Sequence, residues 1–410
     1  MNSRERVLAA LRHEEPDRVP IDFGGMASTG IHAVAYNRLK RHLDLDGTTR
    51  VFDITQHLAE VEEPVRRRFG VDVVALPRIE VLPGVWNVHW RPWTLPDGSP
   101  AEISADFHPV RTADGGWEIH GPDGMVLYRM PAGGLYFDAV EAPLAHADPD
   151  LLRSIEFPRI SDEELRLLRE QARALYEETD YAIVGAFGGN LLEMGQSLRG
   201  WMQFMIDLAS DPDLVEEFME RITEMWMDNL ARYLDAVGEY IQVIQFGDDL
   251  GGQHRLLISP DLYRRLFKPR HQRMYEYVHA CSGCAVFLHS CGSVYDLISD
   301  FIEIGVDVLN PVQTSARGMD PARLKREFGD RITFWGGGCD TQYVLPRGTP
   351  AEVVADVRER LRIFAPGGGY VFAAIHNIQP DVPPENVVDM FDAARMWGGG
   401  GGYTECSSVS

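Results

Sequence analysis

From residue 181 onward, short apolar runs alternate with longer segments of helical periodicity. The runs YAIVGAF (181–187), IQVIQFG (241–247), AVFLHS (285–290), VDVLNPV (306–312), ITFWG (332–336) and YVFAAIH (370–376) are nearly continuous in apolar residues. That pattern predicts strands buried on both faces, as in a parallel sheet. Between them the spacing predicts helices over 260–280, 294–304, 321–328, 350–364 and 383–396. Four of the five open on a proline, and Ser259, Asp320 and Thr349 stand just before it as capping residues. Two earlier runs, RVPIDFG (18–24) and VDVVALP (71–77), bring the strand count to eight. Eight strand–helix units are what a closed (β/α)8 barrel requires, and the Gly-rich turn of a dinucleotide-binding sheet is missing after the first strand. The expected fold class is therefore α/β, a TIM barrel.

Residues 78–150 break this rhythm. WNVHWRPW, AEISADFHPVR, GWEIHGPDG and MVLYRMP alternate apolar with polar positions and are separated by DG or GG turns. The expected organisation is a barrel made of 1–77 and 151–397, a β-rich insertion at 78–150, and a flexible glycine-run tail at 398–410 that holds Cys406. The insertion carries Trp86, Trp90, Trp93 and Trp117, which form either a lid over the barrel mouth or the aromatic core of a small sheet.

Composition narrows the partners. The formal net charge of −23 argues against nucleic acid, which needs a basic footprint. It also argues against a substrate with many carboxylates. No apolar run approaches the ~18 residues of a membrane span. The amphipathic N-terminus lacks the apolar core of a secretion signal, so the expected location is the cytoplasm. Five cysteines in 410 residues make no disulfide framework.

In a barrel of this kind chemistry sits at the C-terminal ends of the strands. There the sequence places Asp22, Asn190, Asp248, Asp249, His289, Cys291, Asn310, Gln313, Cys339, Asp340, His376 and Asn377. In FLHSCGS (287–293), His289 and Cys291 are two apart, so a strand end points both the same way. Imidazole and thiolate together suit Zn²⁺. His376 is the expected third ligand, and Cys339 either completes the tetrahedron or fills the barrel mouth beside it. Asp248 and Asp249 are candidates for general acid/base work, ligation or support of a ligating histidine. Asp22, Asn190, Asn310, Gln313 and Asn377 are expected to contact substrate. The CxxC pair Cys281/Cys284 precedes His289 by a strand length, roughly 16 Å, and is read as structural.

RVPIDFGG, GDDLG, FLHSCGSVYDLI, GVDVLNP, FWGGGCDTQ and HNIQPDVPPENV resemble the uroporphyrinogen decarboxylase-like superfamily over essentially the whole barrel. The resemblance implies a (β/α)8 barrel and one of two chemistries: metal-free decarboxylation, or zinc-dependent methyl transfer to or from a corrinoid protein. In the methyltransferases a His-x-Cys pair and a late Cys hold the zinc; His289 and Cys291 match the pair, and His376 takes the place of the late Cys. The decarboxylases carry arginines after the first strand, where DFGGMASTGIH (22–32) has none. The expected function is methyl transfer between a small substrate, a methoxylated aromatic or a thiol, and cobalamin (a corrinoid) carried on a separate protein. The chain lacks the corrinoid-binding Asp-x-His-x-x-Gly signature. The alternative is a metal-free decarboxylase in which Asp22 or another carboxylate at the mouth stabilises a protonated pyrrole. Association into a homodimer is compatible with the sequence.

Overall fold

The computed structural model describes residues 1–121 and 124–399. The predicted tail, with Cys406, lies from residue 400 onward outside the described residues. Seven parallel strands form one sheet: β1 (Val73–Leu76), β2 (Ala182–Gly188), β3 (Val243–Gly247), β4 (Ala285–His289), β5 (Val308–Asn310), β6 (Thr333–Trp335) and β7 (Tyr370–Val371), each paired with the next in that order. Each observed strand falls within or within one residue of a predicted apolar run. The helix starts also agree with the capping signals. Ser259, Asp320 and Thr349 each accept a hydrogen bond from a backbone N–H three residues on, and Thr349 with Glu352 forms a reciprocal capping box.

The predicted first strand, 18–24, is the correction. It makes no continuous ladder, only a parallel bridge between Ile21 and Phe372 and an antiparallel one between Arg18 and Gly399. Pro20 has no N–H to donate. Backbone hydrogen bonds from Asp72 N to Ile21 O (2.7 Å) and from Phe372 N to Pro20 O (2.8 Å) tie the segment to both edges of the sheet. Side chains supply the rest of its anchorage. The fully buried Asp72 carboxylate takes Arg6 at 2.7 Å, Arg18 at 2.6 Å and the Ile21 N–H at 2.9 Å.

Period-two alternation sorts the strand residues into two cores. Val73, Ala182, Val184, Val243, Phe287, Val308, Trp335 and Val371 pack together inside the curled sheet, and Val7 and Ala10 of the N-terminal helix (Ser3–Leu11) pack against them. The alternate residues face the surrounding helices. Continuing the inward alternation one step along β2 to β5 reaches Ala186, Gln245, His289 and Asn310. Between β1 and β2 the chain forms antiparallel pairs at 80–86, 90–104 and 110–139. Two of the tryptophans there pack together: Trp93 lies 5.4 Å from Trp117 and 5.8 Å from Phe107, ring centre to ring centre. Among the described residues, no helix is long and apolar enough to cross a membrane.

Candidate metal centre

His289 ends β4, and the chain turns sharply after Cys291. Gly292 makes that turn with φ +84°, and a Cβ there would lie 2.4 Å from the Gly251 carbonyl oxygen, so only glycine fits without movement. The turn leaves the Cys291 Sγ 3.3 Å from His289 Nε2. His376, beyond β7, completes the group: one ligand atom from each of His289, Cys291 and His376 lies within 4.8 Å of the others. Among the described residues this is the one such cluster.

Two asparagines orient the imidazoles. His289 Nδ1 is 2.6 Å from Asn310 Oδ1, and His376 Nδ1 is 3.0 Å from Asn377 Oδ1. A carboxamide oxygen only accepts, so each ring places its proton on Nδ1 and presents the Nε2 lone pair. Both asparagines are held in turn: Asn310 donates to the Trp335 carbonyl at 2.8 Å, and Asn377 donates to Gln56 at 3.1 Å. Burial, and then His289, lower the His376 pKa, which favours the neutral ring. Asn310 and Asn377 therefore orient the two histidine rings, in place of the substrate contacts expected of them from the sequence.

The aspartate pair divides. Asp249 accepts from the Cys291 N–H at 2.7 Å and lies 3.7 Å from His289 Nε2. Asp248 is fully buried, accepts from Leu192 N (3.0 Å) and Glu193 N (2.9 Å), and sits 3.3 Å from His271. It caps a helix start and has no access to the mouth, so the acid/base role expected of it is corrected. Asp22 is likewise inaccessible, with its oxygens taken by Gly25 N at 2.7 Å and Trp335 Nε1 at 2.8 Å. Burial pushes its carboxyl up to about 6 against those two hydrogen bonds. Gln313 accepts from Gly292 N at 2.9 Å and braces the turn. Asn190 is half-buried at the end of β2, with its carbonyl taken by Trp226 Nε1 at 2.9 Å.

Cys339 does not join the cluster. After the turn at Gly336 and Gly337 its buried thiol faces Asp356 of the helix Pro350–Phe364, and burial with Asp356 and Asp340 raises its pKa well above the ordinary value. Cys284 is buried at the start of β4 with its sulfur near two backbone carbonyls, at 3.5 and 3.6 Å, and both it and Cys281 are free thiols. Glu193 is a residue the sequence reading missed. Burial, then Asp248 and Asp249, push its carboxyl up to about 8. It also adds to the negative field that, with burial and Asp249, raises the Cys291 thiol pKa. An acid in the first helical turn after a strand end was the available signal.

At the ends of β1, β2 and β3 lies a cavity of about 300 Å³, walled mainly by apolar side chains such as Met26, Phe52, Ile54, Leu82 and Ala186, with Asp53, Glu80 and Gln245 as polar groups. Its walls are coupled to the histidines. Ser28 donates to Asn310 Oδ1 at 3.0 Å, and Asp53 accepts from both Thr55 and Gln56. Arg78, the one basic residue lining it, is held by Glu164 through two 2.7 Å hydrogen bonds.

A family model described as Uroporphyrinogen decarboxylase (URO-D) matches residues 136–397. A curated relative, uroporphyrinogen decarboxylase of Pelobacter propionicus, is 24% identical over 285 residues, covering 66% of this chain and 78% of its own. A solved structure, a methyltransferase from Methanosarcina mazei, is 21% identical with a TM-score of 0.55 and covers 97% of this chain and 99% of its own. That likeness shows a common fold.

Proposed function

The chain belongs to the uroporphyrinogen decarboxylase (URO-D) family, and from that premise we propose that it is a zinc-dependent methyltransferase that moves a methyl group between a small substrate and a corrinoid carried on a separate protein. The observation that carries the reading is the convergence of His289, Cys291 and His376. Their donor atoms fit the metal. Ideal Zn–N and Zn–S bonds at a tetrahedral angle put nitrogen and sulfur roughly 3.6 Å apart, close to the 3.3 Å between His289 Nε2 and Cys291 Sγ. His289, Cys291 and His376 would hold the metal as three protein ligands and leave one position for substrate. A zinc ion held there supplies Lewis acidity toward a substrate oxygen or sulfur.

The chain's own residues do the rest. Asn310 and Asn377 keep both imidazoles in the ligating tautomer. Asp249 fixes the Cys291 backbone beside His289. The mainly apolar cavity, whose only charges besides the paired Arg78 are the carboxylates of Asp53 and Glu80, suits a donor without negative charge, and Gln245 offers it one hydrogen bond; a methoxylated aromatic fits these walls. Glu193, neutral up to about pH 8, holds a proton near the centre for a departing oxygen. The fold shared with a methyltransferase supports the same reading. A porphyrinogen with many carboxylates suits the site poorly, because Arg78 is already neutralised by Glu164 and Asp22 is sealed from the cavity.

The test is metal analysis of the purified chain with a screen of methyl donors against cob(I)alamin. The expected result is about one zinc per chain, lost in Cys291→Ala, and methylcobalamin formed from at least one donor. Full metal content in Cys291→Ala, or decarboxylation of uroporphyrinogen at equal rates with and without metal, would sink the proposal.

A further inference from the structure

Arg255 and Arg317 stand apart from every other arginine. Among the described residues, each of the others has an ion pair, a hydrogen bond or an aromatic ring for its guanidinium, even where it is exposed, as with Arg111 over Trp117 and Arg347 over Tyr343. Arg255 and Arg317 have none of these. Both are exposed, and both line the same groove of about 700 Å³, which Arg323 also borders. Asp296 is the one acidic residue in its lining. The chain as a whole carries a net charge of −23, so this is a local reversal of sign.

The groove is knitted to the metal-holding turn. Ser293, two residues past Cys291, donates through its N–H to Gly252 O at 2.9 Å and through its hydroxyl to Arg317 O at 2.7 Å. Arg317 N donates to Gln253 O at 3.0 Å, and Gln313, which braces Gly292, donates to the Gln253 side chain at 2.9 Å. The unpaired guanidiniums therefore stand on backbone that is rigidly joined to Cys291.

We propose that this groove is the docking edge for a protein whose surface presents carboxylates, and that it orients such a partner over the metal centre. The inference rests on the methyl-transfer reading for what the partner carries, but not for the charge match. A free small anion is held by convergent donors and backbone N–H groups; two exposed side chains on an open groove match a broad surface instead. Charges on a rim cost little desolvation and act mainly by steering and register. On an acidic molecule, a basic edge favours the approach of an acidic partner in one orientation.

The experiment uses the full chain and a fluorescein-labelled oligoglutamate peptide followed by anisotropy. The peptide is expected to bind at low salt and to weaken as salt rises. The double reversal R255E/R317E removes no contact within the fold and is expected to weaken binding at least about tenfold. Reversal of two exposed, already paired arginines, R166E/R362E, is expected to change it by less than about twofold. No binding by the native chain, or equal binding by R255E/R317E, overturns the proposal. So does displacement of the peptide by micromolar inorganic pyrophosphate, which marks a small-anion site. Methyl transfer to free cob(I)alamin is expected to be equal in the native chain and R255E/R317E; its loss would place these arginines in the small-molecule site and overturn docking. A chain with no transfer activity at all counts against the proposed function, while the anisotropy still decides the groove.

Discussion

The two sides of the mouth are built on opposite principles. On the side of β4, β5 and the segment after β7, the imidazoles are braced: His289 and His376 each by an asparagine, and each asparagine by a further partner. On the side of β1 and β2 the wall is mainly apolar, with Asp53 and Glu80 in it, and its one arginine is neutralised by Glu164. The first side suits an ion that demands fixed geometry; the second suits a substrate recognised by shape. On the proposed function the contrast assigns metal and substrate to separate sets of residues, so mutations should separate the two.

The largest effect is expected from Cys291→Ala, which removes a ligand: zinc content measured by plasma emission should fall below about a tenth, with transfer reduced at least about 10³-fold. Retained metal would remove the distinction between the two sides. Next come Asn310→Ala and Asn377→Ala, where zinc affinity in a chelator competition should fall about 10–100-fold as the imidazoles lose their orientation. Ala186→Phe should sharpen the other half. It fills the cavity, so kcat/KM for a methyl donor should drop about tenfold or more while metal affinity stays unchanged; a change in metal affinity of the same size would show that the two sides are coupled. Cys339→Ser is expected to leave metal stoichiometry at the native value, since its thiol faces Asp356.

The smallest effect concerns pH in the metal-free chain. The folded-state pKa of Glu193 is raised to about 8. Its contribution is thus present below the ordinary glutamate pKa and is lost as pH rises through about 8. Glu193→Gln cannot ionise, so its Tm relative to the native chain should climb between pH 5 and pH 9. A constant difference across that range would mean that the carboxyl is not held neutral.

Much was legible in the chain itself. Continuous apolar runs marked the seven paired strands, because a strand buried on both faces must be apolar at every position. Capping residues before prolines marked helix starts through local hydrogen bonds. The His-x-Cys spacing at a strand end was enough to predict a common direction for His289 and Cys291, since alternation is a property of the backbone. His376, nearly ninety positions away, was reached by the strand-end rule.

Tertiary structure decided the rest, and for one reason: which neighbour a polar group meets depends on packing between segments distant in sequence. Asp248 and Asp249 are adjacent, yet one is sealed beneath a helix start and the other faces Cys291. Asn310 and Asn377 read as substrate contacts until their histidines came within hydrogen-bonding distance. Cys339 follows a strand as Cys291 does, but the glycine turn before it aims the sulfur at Asp356. The segment 18–24 has the composition of a strand, and Pro20 together with the Asp72 ion pairs makes it a tether instead.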